Sequence, residues 1–419
     1  MRTITFALSL VLIFVIPWEG VVRLSGLGTA AKLIGLVVAA FWVATVIMTG
    51  RFRKPGPFQI AVSLFVLWNA VSVFWSADLN ETVAHVGSWV QLFVFVCILW
   101  DLYTTRTAVL AGLQAYVLGA YVAVGSALAN YFAGSAFYTR YDRFSSGDTN
   151  PDGFGFIVAL GMPVAWHLAT SKSTSKLNGL LKLVNYAYIP AALLGISLSG
   201  TRTALIAMIP ALAFGLASLT RLRLAARVAI FLLLTSAILI LLPQLQTLRS
   251  FQRFSTTADE LTEGDLHNRT NNWAEGLASF AEQPLIGVGS NMYRSVNSLG
   301  KVAHNSYLSV LVELGLIGFA LFGMIVTIAV IQARGQPKWD KSFWLSLLAV
   351  WAIGASTLTW EDRKTTWLFL SLIVASAAVT NHRDKAVALV RRNESEAQVI
   401  PDAKHGKLPP GAKEKPYLV

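Results

Sequence analysis

Long apolar runs recur along almost the whole chain, and they limit what it can fold into more than any other feature. Each is close to or above the ~18 residues that carry a helix across a bilayer. Charged residues make up 13% and hydrophobic residues 55% of the 419 positions, whereas a soluble domain has roughly 25% charged residues. The sequence therefore predicts an all-α polytopic integral membrane protein rather than two or three soluble domains.

Charged and turn-forming residues between the apolar runs separate about twelve predicted transmembrane helices. The first follows Arg2 without a small-residue cleavage site, so we expect a retained helix rather than a signal peptide. The predicted spans are Ile4–Trp18, Ala31–Gly50, Phe58–Trp75, Val86–Leu102, Ala108–Phe132, Gly153–Ala169, Leu183–Ser199, Thr203–Leu219, Val228–Leu242, Ser306–Ile331, Phe343–Leu358 and Thr366–Thr380.

Basic residues concentrate in alternate loops, as the positive-inside rule requires of cytoplasmic loops. They lie at Arg51–Lys54, Arg106, Lys172–Lys182, Arg221–Arg227 and Arg334–Lys341. The acidic loop Ala77–Thr82 falls on the other side. Both termini are therefore predicted to be cytoplasmic. The net charge of +12 follows from this topology, so we expect membrane lipid and no nucleic acid as a partner.

Three outer stretches, at 133–152, 200–202 and 243–305, are predicted to be more than simple turns. Loops longer than ~12–15 residues are usually functional or disordered. The longest contains a helical pattern over Trp273–Phe280 and a glycine-rich turn over Gln283–Gly289, so we expect it to be ordered. We assign residues 1–380, with this loop, to the helical bundle. Residues 381–419 are expected to be a basic, partly disordered cytoplasmic tail.

Two arginines on the predicted outer side are candidates for binding an anion. Arg202 lies between two apolar runs, where a guanidinium either binds a partner such as phosphate or anchors the helix at the interface. Arg269, in the long loop, would alone be an ordinary exposed residue. Positive charge on the outer side opposes the usual topology bias, however, and favours an anionic ligand. The other outer arginines are Arg140, Arg143, Arg253 and Arg294.

His304 lies where the long loop re-enters the membrane, and it is the candidate general base. Imidazole titrates near neutrality and can take a proton from a hydroxyl group. A structural role is the alternative for a single histidine at this boundary. Glu313, nine residues on, is expected to share its helical face, where it could pair with an arginine or polarise a neighbour.

Asp148 and Asp152 could hold a hard cation in a proline-containing turn. No third carboxylate is close in sequence, although Glu361 and Asp362 are predicted on the same side. We therefore favour helix capping or turn formation. The single Cys97 leaves no disulfide within the chain and no thiolate metal site.

Four segments together resemble the O-antigen ligase/polymerase family of bacterial membrane proteins. The motif region spans residues 140–330 and includes one departure, because Asp152 and Gly153 are inserted before the helix that follows an Asn-Pro element. The resembling segments are Asp148–Pro151, Ser199–Ala204, Arg269 with Trp273, Pro284, Gly287 and Gly289, and His304–Leu308 with Glu313–Gly318.

The resemblance implies a GT-C-like glycosyltransferase of about twelve transmembrane helices, with a large periplasmic loop between helices 9 and 10. It implies metal-independent, inverting transfer of O-antigen from undecaprenyl pyrophosphate to a sugar hydroxyl of the lipid A core, without a cofactor. The site would face the periplasm from the bacterial inner membrane. His304, Arg202 and Arg269 would be catalytic. Substrate-binding residues would be Arg202, Arg269, Asn305, Trp273, Arg140, Arg143 and Glu313.

Three other activities stay open at this point. A polymerase would pass the glycan to another lipid-linked repeat unit, and a related enzyme could transfer it to protein hydroxyls. The single outer loop of moderate size favours the ligase. A transporter of anionic glycan would need charges along a path through the midplane, whereas this chain concentrates them at one face.

Overall fold

The computed structural model describes residues 1–398 apart from 25, 27, 140, 172–175, 222, 247, 249 and 251–268. The α-helices of these residues are α1 (Arg2–Val15), α2 (Ala30–Thr49), α3 (Pro57–Val71), α4 (Leu79–Leu102), α5 (Arg106–Phe132), α6 (Pro151–Thr170), α7 (Lys176–Ser199), α8 (Arg202–Ser218), α9 (Leu224–Gln246), α10 (Arg269–Glu282), α11 (Ser306–Arg334), α12 (Lys338–Ala355) and α13 (Lys364–Gln398). Short 3₁₀ turns lie at Ile16–Trp18, Ser72–Phe74, Leu219–Arg221 and Tyr293–Val296. The two-residue strands β1 (Arg23–Leu24) and β2 (Gly28–Thr29) pair antiparallel.

Met1–Ala377 form one compact unit. Ala378–Val419 form a second, whose described part is the remainder of α13.

Every predicted span coincides with a helix: the first nine with α1–α9 and the last three with α11–α13. The helical pattern in the long loop corresponds to α10. Within the described residues, seven helices are long and apolar enough to cross a membrane, and Arg2–Trp18 and Arg202–Ser218 are shorter apolar helices. The chain is thus an all-α polytopic membrane protein. The count of twelve spans and a GT-C-like fold stay predictions.

Polar N-caps begin five of the helices. The side chains of Thr29, Asp78, Thr105, Asn150 and Asn305 accept hydrogen bonds from backbone N–H groups in the first turns of α2, α4, α5, α6 and α11. The first four N–H groups of a helix have no partner within it, so such caps mark where an apolar helix begins.

Ion pairs show which helix ends share one side of the bundle. Arg2 lies 3.3 Å from Asp101, joining the start of α1 to the end of α4. Arg106, at the start of α5, lies 2.7 Å from Asp340 in the first turn of α12. His167, near the end of α6, lies 3.6 Å from the same carboxylate. These helix ends therefore lie on one side of the bundle, as the predicted alternation of loops requires. The side that faces the cytoplasm stays a prediction.

Helix α6 is the most enclosed of the candidate spans, with 94% of its apolar window buried. Tyrosines from α5 and α7 bind its backbone: Tyr116 Oη donates to Ile157 O and Tyr188 Oη to Val158 O, both at 2.9 Å. Such bonds satisfy polar groups that cannot reach water. The surrounding helices thereby hold α6 and, with it, the residues at its N-terminus.

Helix α11 is broken at Gly315, whose φ of 65° and ψ of −168° are non-helical. The glycine-rich turn packs into this break. Val288 N–H donates to Val312 O at 3.0 Å, and Leu316 N–H donates to Pro284 O at 2.8 Å. The sequence predicted an unbroken helix here. The break is tolerated because hydrogen bonds to the turn replace those that the helix loses.

We expect Gly315→Ala to destabilise the protein by about 2 kcal/mol or more, because only glycine readily adopts this backbone conformation. A Cβ at this position would also collide with Leu285 O. Gly323→Ala is the matched control: it lies in the same helix, and its Cβ would have no heavy atom of the described residues within 4 Å. Thermal unfolding in detergent measures both variants. Equal melting temperatures would contradict the packed break.

Candidate active site

His304 lies just before α11 and adopts a left-handed backbone conformation with a φ of 50°. Its N–H donates to Thr359 Oγ1 at 3.0 Å. This conformation costs a residue with a side chain roughly 1–2 kcal/mol, and such strain is often found at functional sites. The surrounding contacts therefore hold this histidine in place.

Helix α10 fixes the two residues that precede His304. Asn272 Nδ2 donates to Val302 O at 3.0 Å, and Trp273 Nε1 donates to Ala303 O at 2.7 Å. The tryptophan was predicted to bind substrate. The structure shows its indole N–H positioning the histidine loop, and a contact with substrate stays a prediction.

Arg269, the first residue of α10, lies close enough to His304 for its positive charge to act on the imidazole. Burial lowers the pKa of Arg269, and the nearby Asp152 carboxylate opposes that change. Burial also lowers the pKa of His304, with Arg269 as the next cause. A pKa below its ordinary value of about 6.5 keeps the imidazole neutral at pH 7, and a neutral imidazole can accept a proton.

The N-termini of α6 and α8 meet at the same site. Thr201 Oγ1 donates to Pro151 O at 2.9 Å, which joins the two helix starts. Asp152, in the first turn of α6, acts electrostatically on both Arg269 and His304. Arg202 is the first residue of α8 and is partly buried. The elements that carry the three predicted catalytic residues therefore meet at one end of the bundle.

The Arg143 side chain is buried, and its Nε and one η nitrogen donate hydrogen bonds within the protein. Its Nε donates to Ser199 O at 2.7 Å, and an η nitrogen donates to Asp152 Oδ1 at 2.6 Å. Arg143 thus joins the α7–α8 connection to α6, and its predicted contact with substrate stays untested. The predicted ligand residue Arg140, like Arg253, lies outside the described residues.

The two aspartates considered as cation ligands each face an arginine. Asp148 lies 3.6 Å from Arg23, and Asp152 lies 2.6 Å from Arg143. Capping of α6 falls to Asn150 between them, whose Oδ1 accepts the Asp152 N–H at 2.8 Å. The carboxylates therefore serve ion pairing around the helix start.

Asn305 and Glu313, both predicted to bind substrate, have structural partners in this conformation. Asn305 Oδ1 caps α11 by accepting the N–H groups of Tyr307 and Leu308. Glu313 accepts the N–H of Asn291 at 2.8 Å and so holds the loop after α10. Glu313 was expected to share a helical face with His304. That prediction was wrong, because His304 precedes the helix. Binding of substrate by either residue stays a prediction.

The connection between α12 and α13 completes the site, and the sequence analysis missed its part. Ser306 Oγ donates to Leu358 O at 2.9 Å and accepts the Trp360 N–H at 2.8 Å. The Trp360 ring lies 5.0 Å from that of Phe156, between centroids, and thus contacts α6. The short polar run 360–363 between two apolar segments was the available signal.

Two acidic residues of this connection occupy different environments. Burial raises the pKa of Glu361, and the nearby Asp362 charge raises it further. Burial would raise the pKa of Asp362 as well, but Arg363 and His85 lower it. His85 Nε2 lies 3.9 Å from the Asp362 carboxylate. One proton on Glu361 therefore relieves repulsion between neighbouring carboxylates.

We expect Arg269→Gln to raise the pKa of His304, because it removes the positive charge with the largest effect on the imidazole. NMR titration of labelled histidines would measure the shift, with His304→Asn identifying the signal among six histidines. Arg294→Gln is the matched control and should raise the pKa least, since Arg294 contributes less than Arg269. Equal shifts of the His304 pKa in the two variants, or a lower His304 pKa in Arg269→Gln, would contradict the effect assigned to Arg269.

Residues 187–323 match the family model described as O-Antigen ligase. This range runs from α7 into α11 and contains Arg202, Arg269 and His304. No curated protein matches the chain. The match over residues 187–323 of this membrane protein supports its resemblance to the O-antigen ligase/polymerase family.

Proposed function

We propose that the protein is an O-antigen ligase that transfers O-antigen polysaccharide from undecaprenyl pyrophosphate to a sugar hydroxyl of the lipid A core. The observation that carries this proposal is a partly buried His304, held in a left-handed backbone conformation where the positive charge of Arg269 acts on its imidazole. Arg202 begins a helix at the same end of the bundle. A base next to concentrated positive charge suits attack by a hydroxyl on a donor with an anionic leaving group.

The proposed reaction is a single inverting displacement. The acceptor hydroxyl oxygen attacks the anomeric carbon of the donor, and its proton passes to the His304 imidazole. The bond between that carbon and the pyrophosphate oxygen breaks, and the pyrophosphate leaves with the electron pair. Arg269 and Arg202 stabilise the negative charge that grows on it. Pyrophosphate is already a good leaving group, so the step needs charge stabilisation and positioning, and we propose that it needs no metal.

We propose that this site faces the periplasm from the bacterial inner membrane, with both termini in the cytoplasm. The basic loops at the opposite end of the bundle support this orientation. Residues 1–380 would form the catalytic bundle with its loop at 243–305, and residues 381–419 a basic cytoplasmic tail. The arginines proposed to bind the donor belong to one end of the bundle rather than to a path through its midplane, which disfavours the transporter alternative.

Transfer by the purified protein tests the proposal. We expect glycan from undecaprenyl pyrophosphate to appear on deep-rough lipopolysaccharide in the presence of EDTA. His304→Asn should lower the rate by about 100-fold or more. Asparagine tolerates the left-handed backbone better than alanine does, so the variant removes the base without adding strain.

Lys338→Gln, an exposed charge at the other end of the bundle, is the matched control and should leave the rate unchanged. Lengthening of the lipid-linked glycan without transfer to lipopolysaccharide would replace the ligase with a polymerase. Neither product, with or without added divalent cation, would contradict glycosyl transfer. Full activity of His304→Asn would contradict the assigned base.

A further inference from the structure

A cavity of about 950 Å³ is lined in part by the connection between α12 and α13, which also binds the backbone of His304. Its other walls are α1, α2, α4 and the β1–β2 hairpin. Its size is near the upper end of the range for small-molecule sites, roughly 300–1,000 Å³. Neither the proposed chemistry nor the family motifs use it.

The mouth of the cavity carries more positive than negative charge. Of the ionisable lining side chains, four are cationic and two are carboxylates. These are Arg23, Lys32, Arg363 and Lys364, with Glu19 and Asp362. The excess of two positive charges favours an anionic group at this mouth.

Lys32 is the cation most available to such a group. It is exposed in the first turn of α2, and its ammonium has no ion-pair partner among the described residues. The other cations are partly engaged: Lys364 lies 2.7 Å from Glu19, and Arg363 lies 3.5 Å from Asp362.

The walls below this mouth are apolar. Lining residues on α4 run from Ser88 to Ile98, which corresponds to about 15 Å along a helix. Leu12 and Gly35 face one another across α1 and α2, where a Cβ on the glycine would lie 3.9 Å from Leu12 Cδ1. Leu36 and Val90 also line the cavity and are 51% and 47% exposed, so it is open at the side of the bundle where lipid would lie.

One connection joins the cavity to the histidine. The His304 N–H binds Thr359 Oγ1, and Asp362 and Arg363 line the cavity three and four residues further on. An amphiphile with its head at the cavity mouth would therefore contact the same connection that holds the candidate base.

We propose that this cavity binds the phosphorylated lipid anchor of the acceptor, with a phosphate at the basic mouth and an acyl chain along the apolar wall. The inference rests on the proposed transfer to a lipid-anchored glycan. Arg269 and Arg202 already supply the positive charge for the donor pyrophosphate. The cavity offers a second basic site at its mouth, with apolar walls that open to lipid. These features suit the other lipid-linked substrate.

Two variants test the two parts of the cavity. Lys32→Gln removes an exposed charge at the cavity mouth. Gly35→Leu fills the apolar part of the cavity, and leucine has a higher helix propensity than glycine. Each should raise KM for deep-rough lipopolysaccharide about fivefold, while kcat and KM for the donor stay unchanged. The effect of Lys32→Gln should vanish with an acceptor whose anchor phosphates have been removed. Lys338→Gln, a matched lysine in the first turn of α12, should change none of these values.

An unchanged acceptor KM in both variants would overturn the proposal, as would a rise in donor KM instead. Direct binding of bisphosphorylated lipid A to the purified protein separates this test from the proposed function. If the wild-type protein transfers no glycan, the proposed function fails. Weaker lipid A binding by both variants would still support the cavity site, and unchanged binding would overturn it.

Discussion

The contacts of the buried Arg143 guanidinium determine how the outer ends of α6, α7 and α8 are arranged. The residue is 6% exposed and binds both the Ser199 carbonyl and the Asp152 carboxylate. Removing one partner of a buried ion pair leaves an uncompensated charge and typically costs about 3–5 kcal/mol. This link therefore fixes the start of α6 against the α7–α8 connection. Asp152, held in this way, balances part of the positive charge around His304.

A second set of contacts holds the histidine itself. Asn272 and Trp273 bind the carbonyls of the two preceding residues, and Thr359 binds the histidine N–H. Each hydrogen bond contributes about 1 kcal/mol, so the three together offset the roughly 1–2 kcal/mol of the left-handed backbone. Helices distant in sequence thus place a partly buried imidazole, with a lowered pKa, within reach of the charge of a partly buried arginine. The catalytic proposal needs that combination.

The helices could be predicted because an apolar run in lipid has to satisfy its own backbone, and an α-helix does so within one segment. The capping of α6 was expected of Asp148 or Asp152 but falls to Asn150 between them, so the helix start was predicted and its cap was not. The role of Arg143 could not be read in this way, because its partners lie 9 and 56 residues away and are set by packing. The break at Gly315 could not be predicted, because a continuous apolar helix and one interrupted at a glycine have the same composition. The contribution of Thr359 arises only when α12 and α13 return to the site.

A structure of the protein with undecaprenyl-pyrophosphate-linked glycan bound would test the central claim most directly. The account predicts pyrophosphate oxygens at hydrogen-bond distance, about 2.7–3.2 Å, from the guanidiniums of Arg269 and Arg202. The His304 imidazole should face the anomeric carbon across a space that fits a hydroxyl group. A pyrophosphate bound instead at the mouth of the cavity beside Lys32, or distant from both arginines, would contradict the account.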